Sequence, residues 1–386
     1  MPTMRLAPAS TSDYRRLAEK RLPRMLFDYI DGAAGEEVTL AANDADFKAI
    51  RLRQQVMRDV SEIDTTIKLF GEECAMPLAL APIGLGGMMA RRGEILAARA
   101  AEAAGLPFCL STVAICSIEE VARAVAKPFW FQLYMMKDRG HVRELLERAK
   151  AAGCETLVFT VDLAVAGVRY RDVRNGMGGG VSMFGKLRAG AEYLTHPSWV
   201  HDVGVMGKPH VFGSLAEFYP NVKAASELKK LIDAQFDASV TWKDIEWLRR
   251  QWDGNLVIKG VMTAEDAVAA TDAGADAIVV SNHGGRQLDG VASSITVTPG
   301  IVDAVGDRAA VLMNGGVRCG KDVAAALAYG AKAVLIGRPW IWALAAQGER
   351  GLKTLLRTLK AEMEVCMALT GAPTIADITS DTLDKT

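Results

Sequence analysis

The short apolar run Ala277–Val280 is followed, after Ser281 and Asn282, by a histidine and an arginine that only Gly284 and Gly285 separate. The imidazole of His283 can accept a proton near neutral pH, and the guanidinium of Arg286 can bind a carboxylate through two hydrogen bonds. This spacing predicts a base beside an anion-binding group at the end of a buried strand. A loop that needs two glycines for its turn and happens to carry a histidine is the plain alternative.

The strand before this motif is one of eight similar apolar runs, most of them followed by a polar or glycine-rich turn and then a helical stretch. Near-continuous apolar strands that alternate with helices predict a parallel sheet buried on both faces. Eight such units predict an α/β fold of the (β/α)8 TIM-barrel type, with a doubly wound open sheet as the alternative. The runs are Leu78–Ala81, Pro107–Leu110, Phe129–Leu133, Thr156–Val161, Leu256–Ile258, Ala277–Val280, Ala310–Met313 and Ala333–Ile336.

The repeat places the whole chain, residues 1–386, in one domain with three parts. Residues 1–75 are expected to be helical, with Ser12 or Asp13 as the first cap, and residues 76–350 form the barrel. Residues 351–386 form a C-terminal helix and tail. Helices are expected to end at the glycines that precede several of the apolar runs, because a left-handed C-cap favours glycine. These glycines are Gly105, Gly153, Gly274 and Gly330.

One long insertion, at about residues 175–235, interrupts the repeat after the fourth strand. Its first part, residues 175–218, mixes glycines and basic residues with apolar ones such as Trp199 and Phe212, and a helical pattern resumes near Ala224. Long insertions in compact domains are usually functional or disordered. The composition fits a lid, a peripheral membrane contact or a plain mobile loop.

The residues at the predicted strand ends are mostly polar, and in a barrel these ends meet at one mouth. They include a tyrosine, an aspartate, a lysine and several amides, which together predict an active site. The candidates are Gln132, Tyr134, Thr160, Asp162, Arg169, Lys259, His283, Arg286, Asn314, Gly315, Gly316, Arg318, Gly337 and Arg338.

The last two strand ends predict a phosphate site, because the loops after strands seven and eight of a barrel commonly bind phosphate. Backbone N–H groups at Gly315 and Gly316 can face an anion, and Arg318 and Arg338 can add charge-assisted hydrogen bonds. Surface arginines on two loops are the alternative. Lys259 is expected deep in the mouth, either as a Schiff-base nucleophile or as the partner of a negatively charged cofactor ring.

The whole-chain composition narrows the function classes. Lys plus Arg number 45 and Asp plus Glu number 46, so no basic excess indicates nucleic acid. The six cysteines form no C-x-x-C pair, which indicates reduced packing residues rather than a disulfide framework or a metal site. The first 24 residues are too charged for a signal peptide, and no apolar run is long enough to span a membrane.

Taken together, these pieces resemble the FMN-dependent α-hydroxy-acid dehydrogenase/oxidase family over nearly the whole chain. The pieces that carry the resemblance are Phe27–Tyr29, Met76–Pro82, Trp130–Tyr134, Ser281–Asp289, Gly315–Arg318 and Ile336–Pro339. Within the family, the stretches Ala90–Glu94, Arg169–Asp172 and Thr195–Trp199 look most like the subgroup of bacterial quinone-linked L-lactate dehydrogenases.

The resemblance implies roles for the chemical residues. His283 takes a proton from a 2-hydroxy acid, and Asp162 supports the charged form of that imidazole. Tyr134 bonds the substrate hydroxyl or the developing oxyanion. Lys259 lies beside the flavin and stabilises its reduced ring.

The resemblance also implies the binding residues. Arg286, Arg169 and the Tyr29 hydroxyl hold the substrate carboxylate. Apart from Lys259, the implied FMN-binding residues are Pro82, Ile83, Gly84, Ser111, Gln132, Thr160, Ser281, Asn314, Gly315, Gly316, Arg318, Gly337 and Arg338.

Two sites depart from the family pattern, and a third distinguishes the dehydrogenases of the family from its oxidases. Asn314 stands where the family usually has an aspartate, and Ala164–Val168 replaces a proline-containing stretch near the substrate side chain. Gly84 stands where the oxidases often carry alanine, which favours a dehydrogenase.

The resemblance implies oxidation of an L-2-hydroxy acid, with L-lactate as the expected substrate and a quinone or cytochrome-type carrier as the acceptor. An oxidase of mandelate or glycolate type that reduces oxygen to peroxide is the alternative. A non-enzymatic barrel that binds a phosphorylated ligand is a third reading. A homotetramer is expected, cytoplasmic or peripheral on the cytoplasmic side of the inner membrane.

Overall fold

Eight parallel strands close into a barrel. The computed structural model describes residues 7–177, 190, 192–219 and 234–384. In these ranges the strands are β1 (Ile67–Leu69), β2 (Glu72–Cys74), β3 (Leu78–Leu80), β4 (Cys109–Ser111), β5 (Trp130–Leu133), β6 (Thr156–Thr160), β7 (Asn255–Val261), β8 (Ala277–Ser281), β9 (Ala310–Asn314) and β10 (Ala333–Ile336). The last eight pair in the order β3-β10-β9-β8-β7-β6-β5-β4, all in parallel. A bridge between Leu80 and Phe108 joins the two ends, so the predicted barrel is confirmed and the open sheet is wrong.

Helices alternate with the barrel strands and cover their outer faces. Four of them end at the predicted glycines, which adopt left-handed φ values of 67°, 80°, 100° and 95° at Gly105, Gly153, Gly274 and Gly330. The helices with bounds in this part of the chain are Thr11–Arg21, Arg24–Asp31, Val38–Ala49, Gly93–Ala103, Ile118–Ala122, Arg139–Ala151, Tyr170–Arg174, Pro197–Trp199, Trp242–Gln251, Ala264–Asp272, Ser294–Val305, Gly320–Ala328 and Arg338–Thr370. The last is kinked at Gln347 and Gly348, beside residue 350, where we place the end of the barrel segment.

The first helix begins one turn earlier than the sequence indicated. Its N-cap is Ser10, so the expected caps at Ser12 and Asp13 are wrong. Asp13 instead accepts a hydrogen bond from the Ser10 backbone, which completes a capping box. The two reciprocal hydrogen bonds satisfy two backbone N–H groups at once, and they therefore determine the residue at which the helix begins.

A β-hairpin, β1–β2, lies within the segment that was expected to be helical. Its turn holds Phe70 and Gly71 at φ values of 54° and 85°. Phe70 tolerates this conformation because its ring packs 5.5 Å from that of Trp130, the first residue of β5. Leu69 and Cys74 are buried against the barrel interior. The hairpin therefore covers the N-terminal end of the barrel and leaves the C-terminal end as the open mouth.

The insertion after β6 packs back onto the barrel where the structure describes it. Trp199 Nε1 donates to the Met88 carbonyl at 2.8 Å, and Gly213 N donates to the Ala114 carbonyl at 3.0 Å. Phe212 is buried between these contacts. The expected helix start near Ala224 lies outside the described residues. Among the helices that are described, none is long and apolar enough to cross a membrane.

Candidate active site

A layer of polar side chains lies inside the barrel at its C-terminal end. Along six strands, the inward position holds an apolar residue that packs in the barrel interior, and the next inward position, two residues on, is polar and buried. Side chains of a strand alternate between its two faces, so this pattern directs all six toward the mouth. The six residues are Ser111, Gln132, Thr160, Lys259, Ser281 and Asn314.

Lys259 keeps its inward direction although β7 does not end there as expected. The strand continues to Val261, and its register with β8 shifts between Lys259 and Val261. Gly260 absorbs this irregularity at φ 110°, a value that side chains rarely adopt. A Cβ at Gly260 would also lie 2.6 Å from Cγ of Asp162, so the glycine is required for packing as well.

Four of the six residues of this polar layer bond each other in pairs, whereas three of its polar atoms have no protein partner among the described residues. Ser111 donates to Gln132 Oε1 at 3.0 Å, and Ser281 donates to Asn314 Oδ1 at 3.0 Å. Among the described residues, no protein group bonds the buried atoms Lys259 Nζ, Gln132 Nε2 and Thr160 Oγ1. Buried polar atoms are rarely left without partners. These three therefore indicate a ligand that supplies them.

His283 stands just past β8 in a turn of three left-handed residues. The φ values of His283, Gly284 and Gly285 are 56°, 65° and 75°. A Cβ at Gly285 would lie 2.8 Å from the Leu40 backbone nitrogen, so only glycine fits. Asn282 holds the turn by accepting from Gly285 N at 3.2 Å. A non-glycine residue kept in this conformation is often found at a functional site.

Asp162, at the end of β6, bonds the His283 ring: its Oδ1 lies 2.8 Å from Nδ1. Burial raises the pKa of Asp162, but the interaction with the His283 ring and the positive charge of Lys259 outweigh it and hold that pKa below its usual value. Burial lowers the pKa of His283 below its ordinary value, with the charge of Lys259 acting in the same direction and Asp162 opposing both. His283 is thus neutral at pH 7, with Nδ1–H toward Asp162 and Nε2 free to accept a proton.

Two guanidiniums flank the ring of Tyr29, which the Arg24–Asp31 helix brings to the mouth. The Cζ atoms of Arg286 and Arg169 lie 5.1 Å and 5.7 Å from the ring centroid. Arg286 Nη1 donates to the carbonyls of Tyr29 and Gly32 at 2.6 Å and 2.8 Å. Arg169 Nε donates to Asp172 at 2.7 Å. Burial and the nearby charge of Arg169 lower the pKa of Arg286 to about 10, so this cluster favours an anionic ligand.

Arg338 faces the cleft but is held by backbone carbonyls. It donates to the carbonyls of Asp31, Gly32 and Gly284 at 3.0 Å, 2.8 Å and 2.9 Å. Burial, followed by the charge of Arg286, lowers its pKa to about 9. Arg338 therefore ties the Tyr29 helix to the His283 loop, in addition to lining the place where an anion was expected.

Arg318 is also partly engaged. Its Nη2 lies 3.0 Å from Asp44 Oδ1, and its Cζ lies 5.4 Å from the Trp342 ring. Beside it, Gly315 and Gly316 have φ values of 125° and 86°. A Cβ at Gly316 would meet the Asn43 carbonyl at 2.5 Å, so this close approach needs glycine.

The cleft at the mouth brings most of the predicted residues together. It holds about 1350 Å³ of empty space, counted to its opening. Ser111, Gln132, Thr160 and Ser281 lie in the polar layer rather than on the cleft wall, and Asp162 reaches the cleft through His283. The predicted residues on the wall are Tyr29, Pro82, Ile83, Gly84, Tyr134, Arg169, Lys259, His283, Arg286, Asn314, Gly315, Gly316, Arg318, Gly337 and Arg338.

Sequence reasoning missed several residues of the same cleft. Val113, Leu163, Phe212 and Phe236 supply its apolar wall. The sequence showed Phe212 as an apolar residue of the insertion, but it gave no sign that the other three residues belong to the site. Gln287, inside the histidine motif, donates to the carbonyl of Asp162 at 2.9 Å and so links the two loops that carry the acid and the base.

FMN fits this arrangement. The unpartnered Lys259, Gln132 and Thr160 can meet the polar edge of a flavin ring, and the excess of positive charge can meet a phosphate. At Gly337 a Cβ would find only Ile83 within reach, at 4.0 Å, so the backbone there borders open space. Asn314 stands where the family usually has an aspartate. Its amide nitrogen donates to the Leu335 carbonyl at 2.7 Å, and its Oδ1 accepts from the Ser281 hydroxyl.

Comparisons with known proteins agree with this site. The model of the FMN-dependent dehydrogenase family matches residues 18–385. The chain is 53% identical over 377 residues to an L-lactate dehydrogenase of Ectopseudomonas mendocina (strain ymp), with 98% of this chain and 99% of the relative covered. It is 54% identical over 370 residues to an L-lactate dehydrogenase of Caulobacter vibrioides (strain NA1000 / CB15N), with 96% of each covered.

Among solved structures, the chain is similar to the monotopic membrane protein (S)-mandelate dehydrogenase. That match has a TM-score of 0.92 at 36% identity and covers 99% of this chain and 100% of the other. A mandelate oxidase with (S)-4-hydroxymandelic acid matches with a TM-score of 0.84 at 35% identity, covering 98% of each chain. The barrel, the site and the match to the family model together show that this chain is an FMN-dependent oxidoreductase and belongs to the FMN-dependent dehydrogenase family.

Proposed function

We propose that this enzyme oxidises L-lactate to pyruvate and passes the electrons to a quinone or a cytochrome-type carrier. The observation that carries the proposal is the His283–Asp162 pair, which faces a cleft lined by Arg169, Arg286 and Lys259. The relatives of 53% and 54% identity are named L-lactate dehydrogenases, whereas the solved structures of a mandelate dehydrogenase and a mandelate oxidase are 36% and 35% identical. L-Lactate is therefore favoured over mandelate.

The substrate carboxylate is bound by Arg286 and Arg169, with the Tyr29 hydroxyl beside them. The bonds that fix Arg286 use Nη1, so its orientation is set before the substrate arrives. Arg169 already pairs with Asp172, whereas Arg286 donates to neutral carbonyls, so a substrate carboxylate supplies the negative charge beside Arg286 and restores its pKa toward its ordinary value.

His283 acts as the base. Oxidation of lactate removes two electrons and two protons, one from the hydroxyl and one from C2. Nε2 of His283 accepts one proton, and Asp162 stabilises the imidazolium that results. The second proton would accompany the two electrons to the bound cofactor. Burial raises the pKa of Tyr134, so this phenol stays protonated and can donate a hydrogen bond to the substrate oxygen.

The chemistry of electron transfer belongs to FMN, which when bound accepts the two electrons. Lys259, Gln132, Thr160, Ser111, Ser281 and Asn314 would hold its ring and ribityl chain, and Gly316, Arg318, Gly337 and Arg338 its phosphate. The positive charge of Lys259 would stabilise the negative charge that the ring gains on reduction. The backbone of Pro82–Gly84 forms the opposite wall of the cleft.

The identity of the acceptor separates the proposal from its alternative, a 2-hydroxy-acid oxidase. Gly84 supports a dehydrogenase, and a Cβ there would lie 2.7 Å from Val113 Cγ2, so alanine does not fit without a shift. Turnover of L-lactate should be fast with a soluble quinone under nitrogen and slow with air alone. Peroxide formed in equal amount to pyruvate at the same rate would instead establish the oxidase.

A phosphate-binding barrel without catalysis needs neither His283 nor Asp162, and we do not favour it.

We also propose a peripheral contact with the cytoplasmic face of the inner membrane, made through the 175–218 segment, and a homotetramer. Leu194, Val205 and Met206 are exposed apolar residues of that segment. The similar (S)-mandelate dehydrogenase is a monotopic membrane protein. Sedimentation with anionic vesicles tests the contact: the double variant Val205→Glu, Met206→Glu should stay in the supernatant while the native enzyme pellets. Light scattering of the free enzyme tests the tetramer.

A further inference from the structure

A second cavity adjoins the cleft on the side of β6 and β7. It holds about 970 Å³ of empty space, its opening included. Tyr134, Leu163 and Phe236 line both cavities and so form the partition between them. The remaining lining of the second cavity is mixed: the polar residues Thr160, Asp237, Thr241 and Asp266 stand among apolar ones that include Met135, Phe159, Val161, Val240, Trp242 and Ile245.

The backbone fixes Phe236 in this partition. Phe236 forms an antiparallel bridge with Met136, and Asp237 N donates to the Met135 carbonyl at 3.0 Å. Arg139 donates to Asp237 Oδ2 at 2.7 Å and anchors the same segment from the other side. The Phe236 ring then lies 5.0 Å from the Tyr134 ring at an interplanar angle of 46°.

The partition is the surface that a substrate side chain meets. Under the function proposed above, Arg169 and Arg286 hold the carboxylate, and Tyr134 bonds the hydroxyl oxygen on C2. Because Tyr134 is itself part of the partition, C2 lies beside it. The methyl group of lactate is short enough to stop in front of the partition, whereas a longer chain runs into it.

We propose that Phe236 sets the upper length of the substrate side chain, and that the second cavity is an annex for the aliphatic chains of longer L-2-hydroxy acids. Once the ring of Phe236 is removed, such a chain can pack against the apolar part of the lining, which includes Met135, Phe159 and Ile245. This proposal rests on the proposed function and adds the residue that limits its substrate class.

The test compares Phe236→Ala with the native holoenzyme on L-lactate and on L-2-hydroxyhexanoate, with a dye as the electron acceptor. L-2-Hydroxyhexanoate carries three more methylene groups, and each buried methylene is worth roughly fourfold in binding. We therefore expect the ratio of kcat/KM for the longer acid to that for L-lactate to rise by at least about 10-fold and at most about 60-fold.

Val240 supplies the matched control, because it lines the annex and not the cleft. Val240→Phe alone should leave turnover of L-lactate unchanged. Combined with Phe236→Ala, it should fill the annex and cancel the gain for the longer acid. The gain surviving in the double variant would show that the extra space lies elsewhere and would overturn the role of the annex.

An unchanged ratio in Phe236→Ala, with FMN bound and L-lactate still oxidised, overturns the role of Phe236. Should the alanine variant lose FMN, Phe236→Leu makes the smaller change and is expected to raise the ratio for L-2-hydroxybutanoate. No increase there counts equally against the proposal. Failure of the native enzyme to oxidise any 2-hydroxy acid refutes the proposed function instead, so the two failures are distinguishable.

Discussion

Asp162 and His283, separated by 121 residues in the chain, are joined by a hydrogen bond of 2.8 Å between Oδ1 and Nδ1. The barrel creates this pair: β6 ends before Asp162, β8 ends before His283, and β7 lies between them. The bond fixes which ring nitrogen carries the proton. It therefore decides that Nε2, facing the cleft, is the basic atom.

The pH dependence of kcat/KM should follow His283. Burial and the charge of Lys259 place the pKa of His283 below its ordinary 6.5, and only the neutral imidazole can accept a proton. Activity should thus rise with pH through that lowered pKa and show an acid limb below pH 6.5. A limb clearly above pH 6.5 would contradict the neutral base.

Asp162→Asn should lower kcat by about 100-fold, within the range expected for a disturbed general base. Asp162 opposes the lowering of the His283 pKa, so its removal should move the acid limb to still lower pH. At constant FMN content, kcat at saturating L-lactate measures the loss, and the pH profile of kcat/KM measures the shift of the acid limb. A limb that moves upward, or an unchanged kcat, would show that Asp162 does not act through His283.

Arg286→Lys should raise KM for L-lactate and weaken the binding of oxalate. Oxalate carries carboxylates but no oxidisable hydroxyl, so it binds without reacting. Lysine keeps the charge and loses the planar pair of donors, so a loss of roughly 100-fold in kcat/KM is expected. The Kd for oxalate, read from the flavin spectrum, separates binding from turnover. An unchanged Kd would place the carboxylate away from Arg286.

Lys259→Met should weaken FMN binding by at least about tenfold, because the buried ammonium has no protein partner among the described residues and is expected to meet the cofactor. The absorbance ratio of flavin to protein after dialysis measures the loss. Lys259→Arg keeps the charge and should retain more FMN. Equal FMN content in the native enzyme and the methionine variant would contradict the placement of the ring over Lys259.

Gly316→Ala should destabilise the fold by about 2–4 kcal/mol, because its Cβ would meet the Asn43 carbonyl and the Phe47 ring. Gly290→Ala is the control: its φ of 82° is equally left-handed, but no atom lies within 4 Å of the added carbon. The control should cost only about 1 kcal/mol. Equal falls in Tm for the two variants would show that the loss of stability comes from backbone strain at a left-handed φ and not from the clash of the added carbon with Asn43 and Phe47.

The barrel and the polar strand ends could be predicted because each depends on a local pattern. Buried parallel strands are apolar throughout, and the change from Val257 to Lys259 or from Val279 to Ser281 at the next inward position is visible in the sequence. The C-cap glycines are equally local. These patterns were enough to predict which residues meet at one mouth.

The rest depends on contacts between distant segments. The hairpin of Ile67–Cys74 is held by packing of Phe70 on Trp130, which no local periodicity shows. Phe236 reaches the cleft only because its backbone pairs with Met136. The attachment of Arg338 to the carbonyls of the Tyr29 helix likewise follows from tertiary packing alone.

Anaerobic addition of L-lactate to the purified enzyme shows whether this site oxidises L-lactate. We expect the absorbance of the oxidised flavin to bleach at once with L-lactate, to stay unchanged with D-lactate, and to bleach far more slowly with L-lactate in His283→Asn. A flavin that remains oxidised with L-lactate but bleaches with (S)-mandelate would contradict the proposed substrate. A flavin that no 2-hydroxy acid reduces would contradict the proposed reaction.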